Sequence, residues 1–169
     1  ESVNSNNFWL GSNVTLFNGL RLLNTLKQTQ LNLSHLWLFF NEKALVQETE
    51  NHINGFELLQ KLGVKLGISH YGSGYSALNS LLFLPIKGLK LDANLTKQIH
   101  AEQQLKLMSA YQKTASTLEL QTFVDGIDSP EQKRIFSELG YQLGQGAALA
   151  DTFTLSDTQS QICVQLEYA

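Results

Sequence analysis

Two hydrophobic periodicities alternate along this chain, and their alternation is the strongest constraint on its fold. The stretch 14–26 carries leucines at helical spacing, whereas Leu36–Phe40 is a short, continuous apolar run typical of a buried strand. The change of period recurs at 44–62, which is amphipathic, and at 64–68, which is strand-like. Strands that alternate with helices through short connections are typical of βαβ units, so we predict an α/β fold with a mainly parallel sheet.

The alternation continues to the end of the chain. The pattern predicts a short helix at 77–82, a strand at 88–91, a long helix at 95–118, a strand at 120–124, a helix from Pro130 to Gly140 with Ser129 as its N-cap, and strand-like segments at 141–145 and 162–166. The stretch 69–76 is too rich in glycine and polar residues for helix or strand, so it is predicted to be a loop. With no internal repeat and no low-complexity linker, residues 1–169 are predicted to form one domain.

Charge and cysteine content exclude several classes of protein. The net charge is −3 and no basic run occurs, which argues against nucleic-acid binding. Cys163 is the single cysteine, so neither an intramolecular disulfide nor a cysteine-based zinc site is expected, as in a reducing compartment. No apolar run approaches the roughly 20 residues of a membrane span, and the start at Glu1 does not resemble a signal peptide. We therefore expect a cytoplasmic piece of a longer protein.

Polar residues follow the predicted strands where those strands end. Ligands of parallel α/β sheets bind at the carboxyl ends of strands, so we expect these side chains to line one site. We call this edge the mouth, and its predicted residues are Asn4, Ser69, His70, Lys90, Asp92, Asp125 and Gln145.

Five segments resemble the EAL domain family and occur in the family's order. They are Leu38–Leu45, which resembles L-E-I-T-E-x-A-L; Gly72-Ser73-Gly74-Tyr75-Ser76; Leu84-Pro85 with Leu89-Lys90-Leu91-Asp92; Val124–Gln132, which resembles A-E-G-V-E-T-x-x-Q; and Leu139-Gly140 with Gln145-Gly146. Val3-Asn4-Ser5 is similar to the family's V-N-x-S strand end.

The resemblance implies a fold and an activity. EAL domains are (β/α)8 barrels of the TIM type, found in bacterial signalling proteins, that hydrolyse cyclic di-GMP with two Mg²⁺ or Mn²⁺ ions. The first strand, which carries the family's Glu-Ala-Leu motif, has no counterpart here, so we expect an incomplete barrel of about six βα units. Such a sheet would have two open edges, and we expect the chain to associate.

The departures from the family pattern bear on activity. Phe39 replaces a metal-binding Glu, and Ser69 and His70 replace the paired aspartates. The remnants at family positions are Lys90, Asp92, Gln145, Asn4 and Asp125, which is one methylene shorter than the family's Glu. Two hard cations need several oxygen ligands at about 2.0–2.6 Å, so we predict that no metal ion binds and that the domain is not an enzyme.

Three functions follow, and a chance resemblance of an unrelated α/β domain is the least favoured reading. The preferred hypothesis is an inactive EAL-like domain that docks a protein partner, or forms a homodimer, in cyclic di-GMP signalling. It would use the interface loop, Gly72–Ser76, because the corresponding loop of the family couples the active site to a dimer interface. The alternatives are a metal-independent cyclic di-GMP receptor that uses Lys90, Gln145 and tyrosines such as Tyr75, and a residual phosphodiesterase.

Each candidate residue also has a plain structural interpretation. His70 could be a nitrogen ligand in place of an aspartate, but it is expected to face solvent or to be hydrogen-bonded. Lys90 could form an ion pair with Asp92 instead of contacting a phosphate. Phe39 and Phe40 are expected in the core or as a plug in the metal pocket. Two further sets complete the alternatives: Tyr71, Tyr75 and Phe83 as packing or as a guanine stack, and Asp125 with Asp128 as turn residues.

Overall fold

The computed structural model describes residues 8–12, 24, 27–28, 32–43, 49–73, 80–97, 99–149 and 164–165. Its strands are β1 Phe8–Ser12, β2 Leu36–Asn41, β3 Lys65–Tyr71, β4 Gly88–Leu91, β5 Gln121–Asp125, β6 Leu143–Gln145 and β7 Val164–Gln165. Its helices are α1 Thr49–Lys61, α2 Ser80–Phe83, α3 Ala93–Lys97, α4 Glu102–Thr117 and α5 Pro130–Glu138, with a 3-10 turn at Leu33–His35.

The described strands form one sheet in the order β1-β2-β3-β4-β5-β6-β7. Strands β1 to β6 pair in parallel, and β7 pairs with β6 in the antiparallel sense. This arrangement confirms the predicted α/β fold with a mainly parallel sheet. Because parallel strands end at the same edge, it also places the ends of β3, β4, β5 and β6 side by side.

The apolar run of β2 is buried on both faces of the sheet. Leu36, Leu38 and Phe40 belong to the main core, where the Phe40 ring packs edge-on against Phe56 of α1 with centroids 4.7 Å apart. A strand covered on both faces explains why the sequence is continuously apolar there instead of alternating.

The other face of β2 carries an aromatic cluster, which consists of Trp37, Phe39 and Phe123. Two glycines on neighbouring strands leave room for these rings. A Cβ at Gly67 would meet the Phe39 ring, and a Cβ at Gly88 would lie 2.7 Å from Phe123 and 2.8 Å from Trp37. The rings therefore occupy space that side chains of β3 and β4 would otherwise take.

The predicted start of α5 is confirmed. The Ser129 hydroxyl accepts a hydrogen bond from the Gln132 N–H, and the Gln132 side chain accepts one from the Ser129 N–H, with Pro130 in the first turn. This reciprocal capping box satisfies two N–H groups that have no partner inside a helix.

Two predicted boundaries are wrong. Strand β3 runs through Ser69 and His70 to Tyr71, because a bulge between Ile68 and Tyr71 lets the strand continue through the polar residues. The predicted helix 95–118 is divided into α3 and α4, since Ala101 is extended and Ile99 is fully buried. In both places tertiary packing outweighs local preference.

The sequence analysis did not predict β1, which pairs with β2 from Phe8↔Leu36 to Ser12↔Phe40. The predicted strand end at Asn4 lies outside the described residues, as do most of the helix at 14–26 and the interface-loop residues Gly74, Tyr75 and Ser76. In the part of the chain that the structure describes, no helix has the length and apolar character needed to cross a bilayer.

Candidate functional site at the carboxyl ends of the strands

Lys90, Asp125 and Gln145 meet at the mouth, each from the end of a different strand. The Lys90 Nζ lies 2.9 Å from Asp125 Oδ2 and donates a hydrogen bond to Gln145 Oε1 at 3.1 Å. The side chains of Lys90 and Asp125 are 19% and 33% exposed, so this ion pair is partly shielded from water. The ammonium group therefore has its charge balanced within the protein.

His70 and Asp92 form the second charged contact of the mouth. The His70 Nδ1 lies 3.2 Å from Asp92 Oδ2, with the imidazole half-exposed and the carboxylate largely buried. Asp92 Oδ1 also accepts a hydrogen bond from the Asn94 N–H at 2.8 Å. The predicted alternative of a Lys90–Asp92 ion pair is wrong, because Asp92 lies beyond the end of β4, where it binds the first turn of α3 and His70.

The backbone of His70 places this side chain. Its φ is +55°, in the left-handed region that residues other than glycine adopt infrequently, and it lies within the β3 bulge. The preceding residue, Ser69, is half-buried and pairs in register with Asn41 of β2. The exposed, hydrogen-bonded position of His70 matches the plain structural interpretation of that residue.

Glu42 is a buried carboxylate to which the sequence analysis assigned no role. It is 1% exposed and accepts a hydrogen bond from the Ser73 hydroxyl at 3.2 Å, so it fixes the start of the interface loop. Burial, the Glu42 charge and Tyr111 raise the pKa of Tyr71 to about 12, and burial and the Glu42 charge raise the pKa of Tyr111. The available signal was the position of Glu42 directly after a buried strand.

Phe39 lies in the aromatic cluster and is 2% exposed. Its ring stacks on Trp37 with centroids 5.7 Å apart and an interplanar angle of 15°, and it meets Phe123 edge-on at 5.0 Å. A phenyl ring offers no lone pair to a hard cation, and its neighbours here are apolar as well. This placement agrees with the expectation of a core residue.

The two described carboxylates at the ends of β4 and β5 are both engaged by groups of the chain itself. Asp125 is paired with Lys90, and Asp92 with His70 and the Asn94 N–H. Among the residues that the structure describes, no three His, Cys, Asp or Glu side chains come together as a metal site. A pair of divalent ions needs several anionic oxygens around one point, and the described residues do not supply them.

The remaining candidates have other partners. Tyr71 is buried whereas the Phe83 side chain is 72% exposed, so these two rings do not form a stack with each other. Asp128 accepts a hydrogen bond from the Ala147 N–H at 3.1 Å, which joins the loop after β5 to the loop after β6. Asn4 and Tyr75 lie outside the described residues.

Comparison with known proteins identifies what this fold and mouth are similar to. The sequence model of the EAL domain matches residues 11–152, which is more than half of the chain. The cyclic di-GMP phosphodiesterase NbdA of Pseudomonas aeruginosa is 34% identical over 122 residues, which are 72% of this chain and 16% of NbdA. The cyclic di-GMP phosphodiesterase PdeA of Borreliella burgdorferi is 27% identical over 126 residues, 74% of this chain and 19% of PdeA. The chain thus spans less than a fifth of these curated relatives.

Solved structures are similar over most of the chain. The PaMucR phosphodiesterase in complex with cyclic di-GMP is 25% identical with a TM-score of 0.74, and the match covers 83% of this chain and 59% of that one. The EAL domain of Mycobacterium smegmatis DcpA is 23% identical with a TM-score of 0.74, and the match covers 83% of this chain and 65% of that domain. The fold is therefore that of a TIM-type barrel, represented in this chain by part of its strands.

Proposed function

The chain belongs to the EAL domain family, and we propose that it is a member that does not hydrolyse cyclic di-GMP and acts in cyclic di-GMP signalling through contact with another protein. We propose a cytoplasmic location for this role. The expected occupant of the docking surface is a protein partner or a second copy of the chain.

The position of Phe39 carries the proposal of inactivity. In the segment that resembles L-E-I-T-E-x-A-L, this residue stands where the family has a metal-binding Glu, and its ring is packed against Trp37 and Phe123. The glycines at 67 and 88 accommodate the cluster, so the interior is shaped around aromatic rings. A metal ion near the Phe39 ring would have to enter the apolar environment of Trp37 and Phe123, which is costly for a charge.

The charges of the mouth support the same proposal. The Lys90 ammonium balances Asp125, so this carboxylate has a stable partner without a metal ion. A divalent ion would have to displace the ammonium group at the expense of the 2.9 Å ion pair and of the hydrogen bond to Gln145. We therefore propose that Lys90 provides the positive charge at the mouth.

The start of the interface loop supports the proposal of docking. Gly72 and Ser73 follow the β3 bulge, and the Ser73 hydroxyl is held by the buried Glu42 carboxylate. Residues that are already held in place, as Ser73 is, lose less conformational entropy when a partner binds them. The loop is thus prepared for contact whether or not the mouth performs chemistry.

Hydrolysis by the purified chain tests the first half of the proposal. Cyclic di-GMP is incubated with the chain in Mg²⁺ or Mn²⁺, and the linear dinucleotide is measured by chromatography, with the PaMucR phosphodiesterase as the active control. We expect product at the level of the buffer blank. Turnover that is lost when Asp125 is changed to Asn would contradict the proposal and favour a residual phosphodiesterase.

Calorimetry with cyclic di-GMP distinguishes docking from the receptor alternative. We expect no heat of binding in the absence of metal ions, for the unchanged chain and for Lys90→Ala alike. Micromolar binding that Lys90→Ala weakens would replace the docking proposal by a nucleotide receptor.

Self-association is measured by sedimentation velocity at tens of micromolar. Ser73→Glu would set a second carboxylate against Glu42 and displace the loop, whereas Ser73→Thr keeps the hydroxyl. We expect association that Ser73→Glu weakens and Ser73→Thr retains. If association is strong but insensitive to residue 73, the interface loop is not the contact surface.

A further inference from the structure

Tyr111 of α4 packs directly against the end of β3. Its ring meets that of Tyr71 edge-on, with centroids 5.5 Å apart and an interplanar angle of 65°. Tyr71 is the last residue of β3 and is 5% exposed. Helix α4 therefore reaches, through one side chain, the point where the strand becomes the interface loop.

Gly72, the first residue of the interface loop, rests on the same side chain. Its φ is +88°, and a Cβ added to it would lie 3.0 Å from Tyr111 Oη and 2.8 Å from a Leu95 methyl group. A side chain at position 72 would therefore crowd Tyr111 and Leu95, and the positive φ also favours glycine there. The Tyr111 side chain therefore limits the space available to the turn at Gly72.

The turn is connected to the mouth by backbone hydrogen bonds. The Ser73 N–H donates to the His70 carbonyl at 3.1 Å, and the Asp92 N–H donates to the Tyr71 carbonyl at 3.2 Å. His70 and Asp92 are the residues of the second charged contact. A shift of the turn would therefore displace both partners of that contact.

We infer that Tyr111 is a positioning residue for the turn at Gly72 and Ser73, where the interface loop starts, so that the packing of α4 determines the conformation of this turn and of the His70–Asp92 contact. The ring carries this role, since it packs against the Tyr71 ring and one of its carbons lies 3.2 Å from the position of a Gly72 Cβ. The inference rests on the proposed function in one respect: if the interface loop docks a partner, Tyr111 is a residue outside the mouth that affects this docking. Nothing in the interpretation of Tyr111 depends on whether the mouth is active.

Amide hydrogen exchange of the purified chain, followed by NMR, tests the inference. The reporters are the Ser73 and Asp92 amides, and Val124 of the buried strand β5 reports global unfolding. Tyr111→Leu should accelerate exchange at both reporters at least tenfold more than at Val124. Tyr111→Phe retains the ring, so its exchange rates at Ser73 and Asp92 should remain within about threefold of those of the unchanged chain. Local opening is expected only where the ring contact is lost.

Two further variants make the outcome decisive. Leu107→Ala changes a side chain of α4 that is 39% exposed and should leave the reporters unchanged. Gly72→Ala should accelerate exchange at Ser73. The acceleration should be smaller when the same substitution is made in the Tyr111→Leu variant, because the Tyr111 ring is absent there. If Tyr111→Leu accelerates all amides equally, or leaves Ser73 unaffected, the inference is overturned. The readout needs no nucleotide or partner, so detection of hydrolysis would refute the proposed function and leave this result intact.

Discussion

At the scale of single residues, the rings at positions 37, 39 and 123 and the absence of side chains at 67 and 88 depend on each other. The Phe39 ring occupies the space of a Gly67 Cβ, and Trp37 and Phe123 occupy that of a Gly88 Cβ. Protein interiors are packed too densely for one of these positions to change alone. The aromatic cluster is therefore built into the packing of four strands, β2 to β5.

Restoring the family's residue should destabilise the chain. Phe39→Glu would place a carboxylate against two aromatic rings. A buried charge without a partner is among the most costly single changes, at about 3 kcal/mol or more. Urea denaturation measures the loss, with Phe39→Leu as the apolar control that should cost less. If Phe39→Glu were as stable as Phe39→Leu, the interior would be wetter than we infer.

Gly67→Ala should destabilise the chain by about 1–3 kcal/mol through overpacking against the Phe39 ring. The same substitution should cost less when Phe39 is changed to Leu, because the smaller side chain releases the space. A double-mutant cycle in urea measures this coupling. Additive effects of the two substitutions would contradict the size match.

Tyr71 should make stability depend on alkaline pH. Its pKa is raised from 10 in the unfolded chain to about 12 in the fold, by burial first and then by Glu42 and Tyr111. The folded state thus retains a proton that the unfolded state loses, so stability is complete below pH 10 and falls as the pH rises toward 12. The loss is about 3 kcal/mol at about 1.4 kcal/mol per pKa unit.

Unfolding in urea at pH 9 and pH 11.5 checks this dependence. Tyr71→Phe removes the titrating hydroxyl and should flatten the decline between the two pH values. The same decline in Tyr71→Phe would assign the alkaline sensitivity to other groups, such as Tyr141, whose pKa burial also raises.

At the scale of elements, the sequence predicted what local chemistry decides. The start of α5 follows from Ser129, Pro130 and Gln132 alone, and the structure has the capping box that these residues form. The extension of β3 and the division of the helix at Ala101 depend on a bulge against β4 and on burial of Ile99. Such long-range contacts leave no periodic signal in the sequence.

Ser129→Ala should cost about 1 kcal/mol, since the Gln132 N–H would lose its acceptor at the helix end. Ser116→Ala, at an exposed position of α4, is the matched control and should remain within about 0.5 kcal/mol of the unchanged chain. Denaturant midpoints measure both. Equal midpoints for the two variants would show that the cap contributes little.

At the scale of the whole molecule, the parallel arrangement of the strands could be predicted from the sequence, whereas the pairing of side chains could not. Alternating periods predicted a parallel sheet, and a parallel sheet predicts that polar strand ends meet, as Lys90, Asp125 and Gln145 do. Lys90 pairs with Asp125 and not with Asp92 because of the position of each residue relative to the end of its strand. Glu42 was missed for the same reason, because its partner Ser73 is distant in the sequence.

The central claim is that the mouth of this EAL domain has lost the capacity to hold paired divalent ions. Titration of the purified chain with Mn²⁺, followed by electron paramagnetic resonance, measures it directly, with cyclic di-GMP present and absent. We predict that the free-ion signal rises in proportion to added Mn²⁺, as in buffer. Two ions bound per chain, with binding abolished by Asp92→Asn or Asp125→Asn, would contradict the account.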